Sequence, residues 1–164
     1  MRQIDRKEKG FSLIELLIVV AIILIIAAIA IPNLLRSRMA ANEASAVGSL
    51  RTINTAEVTY STTYPTIGFA VLASLGGAPA TCATATGATS TGACLLDDVL
   101  ASTAVKSGYS FAATAGGGTP SVTYFSSANP SVPGQSGQRF FCSDQSGVIR
   151  YNAAAACATT DPAL

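Results

Sequence analysis

An almost uninterrupted apolar run near the N-terminus limits how this chain can fold more than any other feature. Every residue from Leu16 to Ile31 is apolar, and between Phe11 and Ile31 only Ser12 and Glu15 break the pattern. As an α-helix this stretch is roughly 30 Å long, which matches the hydrocarbon core of a bilayer. The sequence therefore predicts one membrane-spanning helix here.

The charges on the two sides of the run predict its orientation. The first nine residues hold four basic and two acidic side chains, so totals of ten and nine leave six basic and seven acidic residues for the rest. Because positive charge before an apolar span keeps that end in the cytoplasm, we expect everything after Ile31 to lie outside. The near-neutral remainder argues against a dedicated nucleic-acid surface, which needs clustered Lys or Arg.

The four cysteines agree with this topology, because all of them follow the predicted span. Their spacing contains no CxxC pair, and an oxidising compartment favours disulfides in a small domain. Of the three possible pairings we favour the two that close short loops, each worth about 3 kcal/mol in the chain-entropy model. These are Cys82–Cys94 and Cys142–Cys157.

The order of elements differs from that of an ordinary secretory signal, whose small-residue cleavage site follows the apolar core. Here a small residue, Gly10, precedes the apolar run. Cleavage at this position would remove the charged leader and leave the membrane helix on the mature protein.

The stretch "KGFSLIELLIVVAIILIIAAIAIP" resembles the N-terminal signature of bacterial type IV pilins and type II secretion pseudopilins over residues 7–32. The resemblance implies that a prepilin peptidase cuts between Gly10 and Phe11 and then methylates the new amine of Phe11. Glu15 matches the acidic residue of the family, and Pro32 matches the proline near which the helix loosens when subunits enter a filament. The implied fold is α+β, with a long N-terminal helix and an outer domain built on an antiparallel sheet.

The position of Glu15 has a physical explanation in such a filament. A carboxylate within a membrane costs about 2.5–3.5 kcal/mol, so a partner or a function is expected for it. Glu15 of one subunit can neutralise the Phe11 amine of its neighbour, and this pair would select one axial register. The alternative is that Glu15 only reaches the lipid headgroups.

The helical pattern continues beyond Pro32, which we expect to weaken the helix by removing one hydrogen bond. An apolar stripe recurs every three or four residues and predicts a face that packs on the outer domain. Its members are Ala40, Ala44, Val47, Leu50, Ile53, Ala56 and Tyr60. The predicted organisation is a cleaved leader over 1–10, a helix over 11–62 whose membrane part is 11–31 and whose amphipathic part is 32–62, and an outer domain over 63–164.

Within the outer domain, residues 81–92 are low in complexity and are interpreted as a surface loop, and 94–102 as a short helix. Four strands in two hairpins are predicted, which together give an antiparallel sheet. The strands are 109–114, 121–126, 139–144 and 148–152.

Nothing in the sequence indicates catalysis. The chain has no histidine, which removes Ser–His and Cys–His pairs and the commonest zinc ligand. The triple glycine at 116–118 lacks the Lys of a phosphate loop. Asp97 and Asp98 are interpreted as helix-capping or solvated residues, because no alternating acidic calcium ligands surround them. We therefore expect no cofactor, no metal and no enzymatic activity.

These observations favour a structural subunit of a type IV pilus. We expect an inner-membrane precursor, partners in the prepilin peptidase and the assembly machinery, and a helical homopolymer outside the cell. Two alternatives stay open: a pseudopilin of a type II secretion system, whose filament is periplasmic, and a single-span membrane-anchored module that binds a ligand or DNA.

Overall fold

The computed structural model describes residues 11–83 and 87–164. One long helix, α1 (Leu13–Thr63), begins the fold and is followed by two short helices, α2 (Leu72–Leu75) and α3 (Pro79–Cys82), and a π-helical turn at Val99–Thr103. The chain divides inside α1 into two compact units, one ending at Ser37 and one spanning Arg38–Leu164. Pro32 lies inside α1, and the helix continues on both sides of it.

The second unit contains a five-stranded antiparallel sheet in which each strand pairs with its neighbour in sequence. The α+β architecture expected from the sequence is therefore confirmed. The strands are β1 (Val105–Lys106), β2 (Tyr109–Ala115), β3 (Tyr124–Pro130), β4 (Phe140–Asp144) and β5 (Arg150–Asn152).

The sheet packs on the C-terminal part of α1. Alternate residues of β2 and β3 are buried, as expected when one face of a sheet covers a helix. Leu50 and Ile53 of α1 and Phe141 of β4 are fully buried or nearly so and belong to one apolar core. A polar contact crosses the same layer, since the side-chain amide of Asn54 donates to Ser143 Oγ at 2.8 Å.

The prediction of which face of α1 is buried was partly wrong. Ala40 and Ala44 are exposed, whereas Glu43 and Glu57, which the pattern treated as polar, are buried. Both carboxylates have partners outside the helix. Because periodicity counts only apolar residues, it cannot find a buried carboxylate whose partner lies far along the chain.

Two other local predictions also need correction. The strand predicted over 121–126 begins at Tyr124 and runs to Pro130, because Ser121 holds a loop closed by donating its hydroxyl to the carbonyls of Gly116 and Thr123. The helix predicted over 94–102 is confined to the π-helical turn. Cys94 has a left-handed φ of 57°, and the amide N–H groups of the next two residues donate to the carbonyl of Leu75.

The structure contains disulfides between Cys82 and Cys94 and between Cys142 and Cys157. The second closes 15 residues and ties the buried Cys142 of β4 to the segment after β5.

We expect a Cys142→Ala, Cys157→Ala double variant to lose about 3 kcal/mol of unfolding free energy, because its unfolded chain gains entropy. Denaturant titration of the full chain in detergent, followed by near-ultraviolet circular dichroism, measures this. An unchanged unfolding midpoint would contradict it.

Candidate functional site

The apolar N-terminal segment is the part of the chain whose surface is not covered by its own fold. Among the described residues, α1 is the single helix long and apolar enough to cross a membrane, with a mean hydropathy of 3.3 in a window that is 0% buried. Leu13 is 75% exposed and Ile25 is 64% exposed, and the first buried residue of α1 is Glu43. This exposed surface needs a bilayer or other protein around it.

The residues assigned to processing and assembly lie at the two ends of this segment. Phe11 precedes α1 and is 86% exposed, Glu15 lies in the first turn, and Pro32 is an exposed residue inside the helix. Gly10 lies outside the described residues. The roles predicted for all four stay predictions.

The carboxylate of Glu15 is turned back toward the start of the helix. Its Oε2 accepts a hydrogen bond of 3.0 Å from the main-chain N–H of Ser12. This contact is one half of a capping box, in which the third helical residue satisfies an N–H that has no partner in the helix. The S-x-x-E pattern of Ser12 and Glu15 was visible in the sequence and could have predicted it. The carboxylate also interacts favourably with the helix dipole, because it places negative charge at the N-terminus of α1.

Two buried carboxylates that the sequence reasoning missed attach the second half of α1 to the outer domain. The first, Glu43, accepts from the guanidinium Nε and Nη2 of Arg139, both at 2.8 Å, and from the main-chain N–H of Gln138 at 2.9 Å. Burial acts to raise the pKa of Glu43, but the Gln138 N–H and the Arg139 guanidinium together hold this pKa below its usual value. Arg139 also lies over the rings of Phe141 and Tyr151.

The second is Glu57, whose side chain is fully buried. Its Oε2 accepts a 2.9 Å hydrogen bond from the N–H of Ala70, and its Oε1 has no hydrogen-bond partner. Burial raises the pKa of Glu57 to about 7, although the Ala70 hydrogen bond opposes the increase. Glu57 therefore holds the segment that follows α1 with a carboxyl group that can ionise near neutral pH.

Within the described residues, no group of three or more His, Cys, Asp or Glu side chains could hold a metal ion. The arrangement is suited to association with lipid or with other protein chains, because α1 exposes a long apolar surface with one carboxylate near its end. The second half of α1 is attached to the outer domain by polar contacts.

The N-terminal segment is similar to known proteins. A family model for the prokaryotic N-terminal methylation motif matches residues 5–31. The type IV wide pilus major component PilA4 of Thermus thermophilus is 66% identical over 38 residues, which are 23% of this chain and 29% of that protein. This segment is similar to a type IV pilin N-terminus. The type IV major pilin protein PilA of Myxococcus xanthus is 44% identical to the chain over 54 residues, which are 33% of this chain and 24% of that protein.

The family model covers only the N-terminal end of the chain. The chain spans less than a third of the length of either relative. No solved structure shows a significant match. The residues that the family model matches end before the outer domain begins.

Proposed function

We propose that this protein is a structural subunit of a type IV pilus, polymerised through the exposed apolar segment of α1. The observation that carries the proposal is a pilin-type methylation motif on a helix half whose large apolar side chains no part of the described chain covers. Leaving one Leu or Ile side chain in water costs about 1.5–3 kcal/mol, so once the segment leaves the lipid it has to be buried by neighbouring copies. A contact in which one face meets a different face on the next copy grows as a helical filament when its rotation does not close into a ring.

The precursor spans the inner membrane through this segment, with its basic leader in the cytoplasm. A prepilin peptidase cuts between Gly10 and Phe11 and methylates the Phe11 amine, and the pilus machinery transfers the mature subunit from lipid into the filament. In this account the protein is a substrate of enzymes and is itself not an enzyme. The pilin N-terminus and the basic residues before it support the assignment.

Glu15 fixes the register between neighbouring subunits. Its carboxylate already faces the start of the helix, where it accepts from Ser12, so it lies near its own N-terminus in a single chain. In a bundle, the methylated Phe11 amine of the next subunit would bring a positive charge to this position. An unpaired charge inside an apolar bundle costs several kcal/mol, so misaligned subunits are disfavoured.

Mass spectrometry of the N-terminal peptide tests the proposal, made separately on filaments sheared from cells and on the envelope fraction. We expect a methylated Phe11 terminus, abundant in the sheared material. The same terminus confined to the envelope would indicate a secretion pseudopilin, and an intact Met1 in both fractions would contradict a filament role.

A further inference from the structure

A cavity of about 390 Å³ opens on the outer domain between α2, α3 and the π-helical turn. Its wall is mostly apolar and made of small side chains, and one acidic residue, the exposed Asp98, lines it. The apolar wall is formed by Ala73, Gly77, Ala78, Pro79 and Ala101. Such a site suits a side chain with an apolar stem and a positively charged end.

Asp98 differs from the other carboxylates of the described chain, because its side chain makes no hydrogen bond or ion pair there. Its neighbour Asp97 pairs with Lys106 at 3.5 Å, and the Asp144 and Asp161 carboxylates accept hydrogen bonds from nearby residues. Only the main-chain carbonyl of Asp98 has a partner, the hydroxyl of Ser102. The negative charge in the cavity is therefore free to bind a cation.

The matching positive charges lie on α1. Arg36 and Arg38 are exposed and make no ion pair with any described residue. Arg51 is also without an ion pair, but it lines a second cavity of its own domain together with Val148 and Ile149. Among the described residues, the exposed basic side chains that follow the apolar segment most closely and make no ion pair are Arg36 and Arg38.

We propose that the Asp98 cavity binds the Arg36–Arg38 segment of a second copy of this chain, an inference that rests on the proposed filament function. When the apolar segments pack together, the first cations beyond them come close to neighbouring subunits and need a counter-charge. Arg is suited to this role, because its planar, weakly hydrated guanidinium tolerates partial burial better than an ammonium group does. Arg36 and Arg38 lie on nearly opposite sides of the helix, so one of them enters the cavity.

Charge reversal in whole cells tests this contact. We expect Asp98→Arg to lower the yield of sheared filaments at least about fivefold, because like charges then face each other across the interface. Of the two double variants that add Arg36→Glu or Arg38→Glu to Asp98→Arg, the one that reverses the arginine entering the cavity should restore most of that yield. Immunoblots of the envelope fraction check that every variant accumulates normally.

The chain offers matched controls on both sides of the contact. Asp97→Asn should assemble like the wild type, because Asp97 faces its own Lys106, and Arg51→Glu should not rescue Asp98→Arg. Normal assembly of Asp98→Arg, or failure of both double variants, would overturn the contact. Wild-type cells, run in parallel, separate the two levels: if their sheared filaments lack this protein, the filament account itself fails.

Discussion

Replacing Glu15 with Gln should reduce sheared filaments at least about 100-fold while the protein still accumulates in the envelope. The amide keeps an oxygen that can accept the Ser12 N–H, so the cap on α1 is preserved. The negative charge is lost, and the Phe11 amine of the neighbouring subunit is left unpaired in an apolar bundle. Breaking a buried pair in this way costs about 3–5 kcal/mol. Immunoblots of sheared and envelope fractions measure the change.

Two further variants test whether the lost charge causes the assembly defect of Glu15→Gln. Glu15→Lys should be at least as defective as Glu15→Gln, because it places two positive charges together. Ile22→Leu, a volume-conserving change in the middle of the same segment, should assemble normally. The N-terminal peptide of Glu15→Gln should still begin at Phe11, which would show that cleavage is intact. If Glu15→Gln formed wild-type amounts of filament, the carboxylate would be a helix cap and not a register pair.

The second large effect is expected from Glu57, whose raised pKa makes the stability of the outer domain depend on pH. A folded-state pKa of about 7, above the ordinary value of 4.5, means that the folded protein holds its proton more tightly than the unfolded chain. Stability is therefore fully present below about pH 4.5 and declines until the pH passes about 7. Since one pKa unit is worth about 1.4 kcal/mol, the total loss is about 3 kcal/mol.

The neighbouring titratable groups do not change their ionisation between about pH 4.5 and 7. The titratable side chains coupled to Glu57 are Tyr60 and Tyr124, and burial raises the pKa of both, that of Tyr124 to about 12. The pKa values of Glu43 and Asp144 are lowered, so their contributions are lost only as the pH falls below the ordinary carboxyl range. The decline between pH 4.5 and 7 thus belongs to Glu57.

Glu57→Gln should remove that decline and stabilise the protein by up to about 3 kcal/mol at pH 8, because a neutral amide can accept the Ala70 N–H without being ionised. Denaturant titrations of the full chain in detergent at pH 4.5 and pH 8 measure the difference. Glu43→Gln is the matched control on the same helix, and it should destabilise at pH 8 by removing a charge that Arg139 faces. A wild-type protein equally stable at both pH values would contradict the assignment.

The N-terminal segment could be predicted from the sequence because its information is local. The apolar run, Gly10, Phe11, Glu15 and Pro32 lie within one short stretch, and the family motif matches residues 5–31 of it. The strands β2, β4 and β5 were also found close to their true positions, since glycine-containing turns bound them. The roles of Phe11 and Glu15 in assembly remain predictions.

The contacts that attach α1 to the outer domain could not be predicted in the same way. Glu43 and Arg139 are 96 residues apart, and nothing near either residue indicates the other. Glu57 is buried because Ala70 supplies an N–H after the chain reverses direction. The start of β3 was misplaced for a similar reason, since the hydroxyl of Ser121 closes a loop where periodicity alone favours a strand.

The order of the strands affects how quickly different parts of this protein can fold. Each strand pairs with its sequence neighbour, so the sheet consists of contacts between residues close along the chain, and such contacts form rapidly. The contacts of Glu43 with Arg139 and of Asn54 with Ser143 close loops of 96 and 89 residues. The face of α1 that these contacts bury can therefore be covered only after β4 has formed. During synthesis this helix is made long before the strand that covers it.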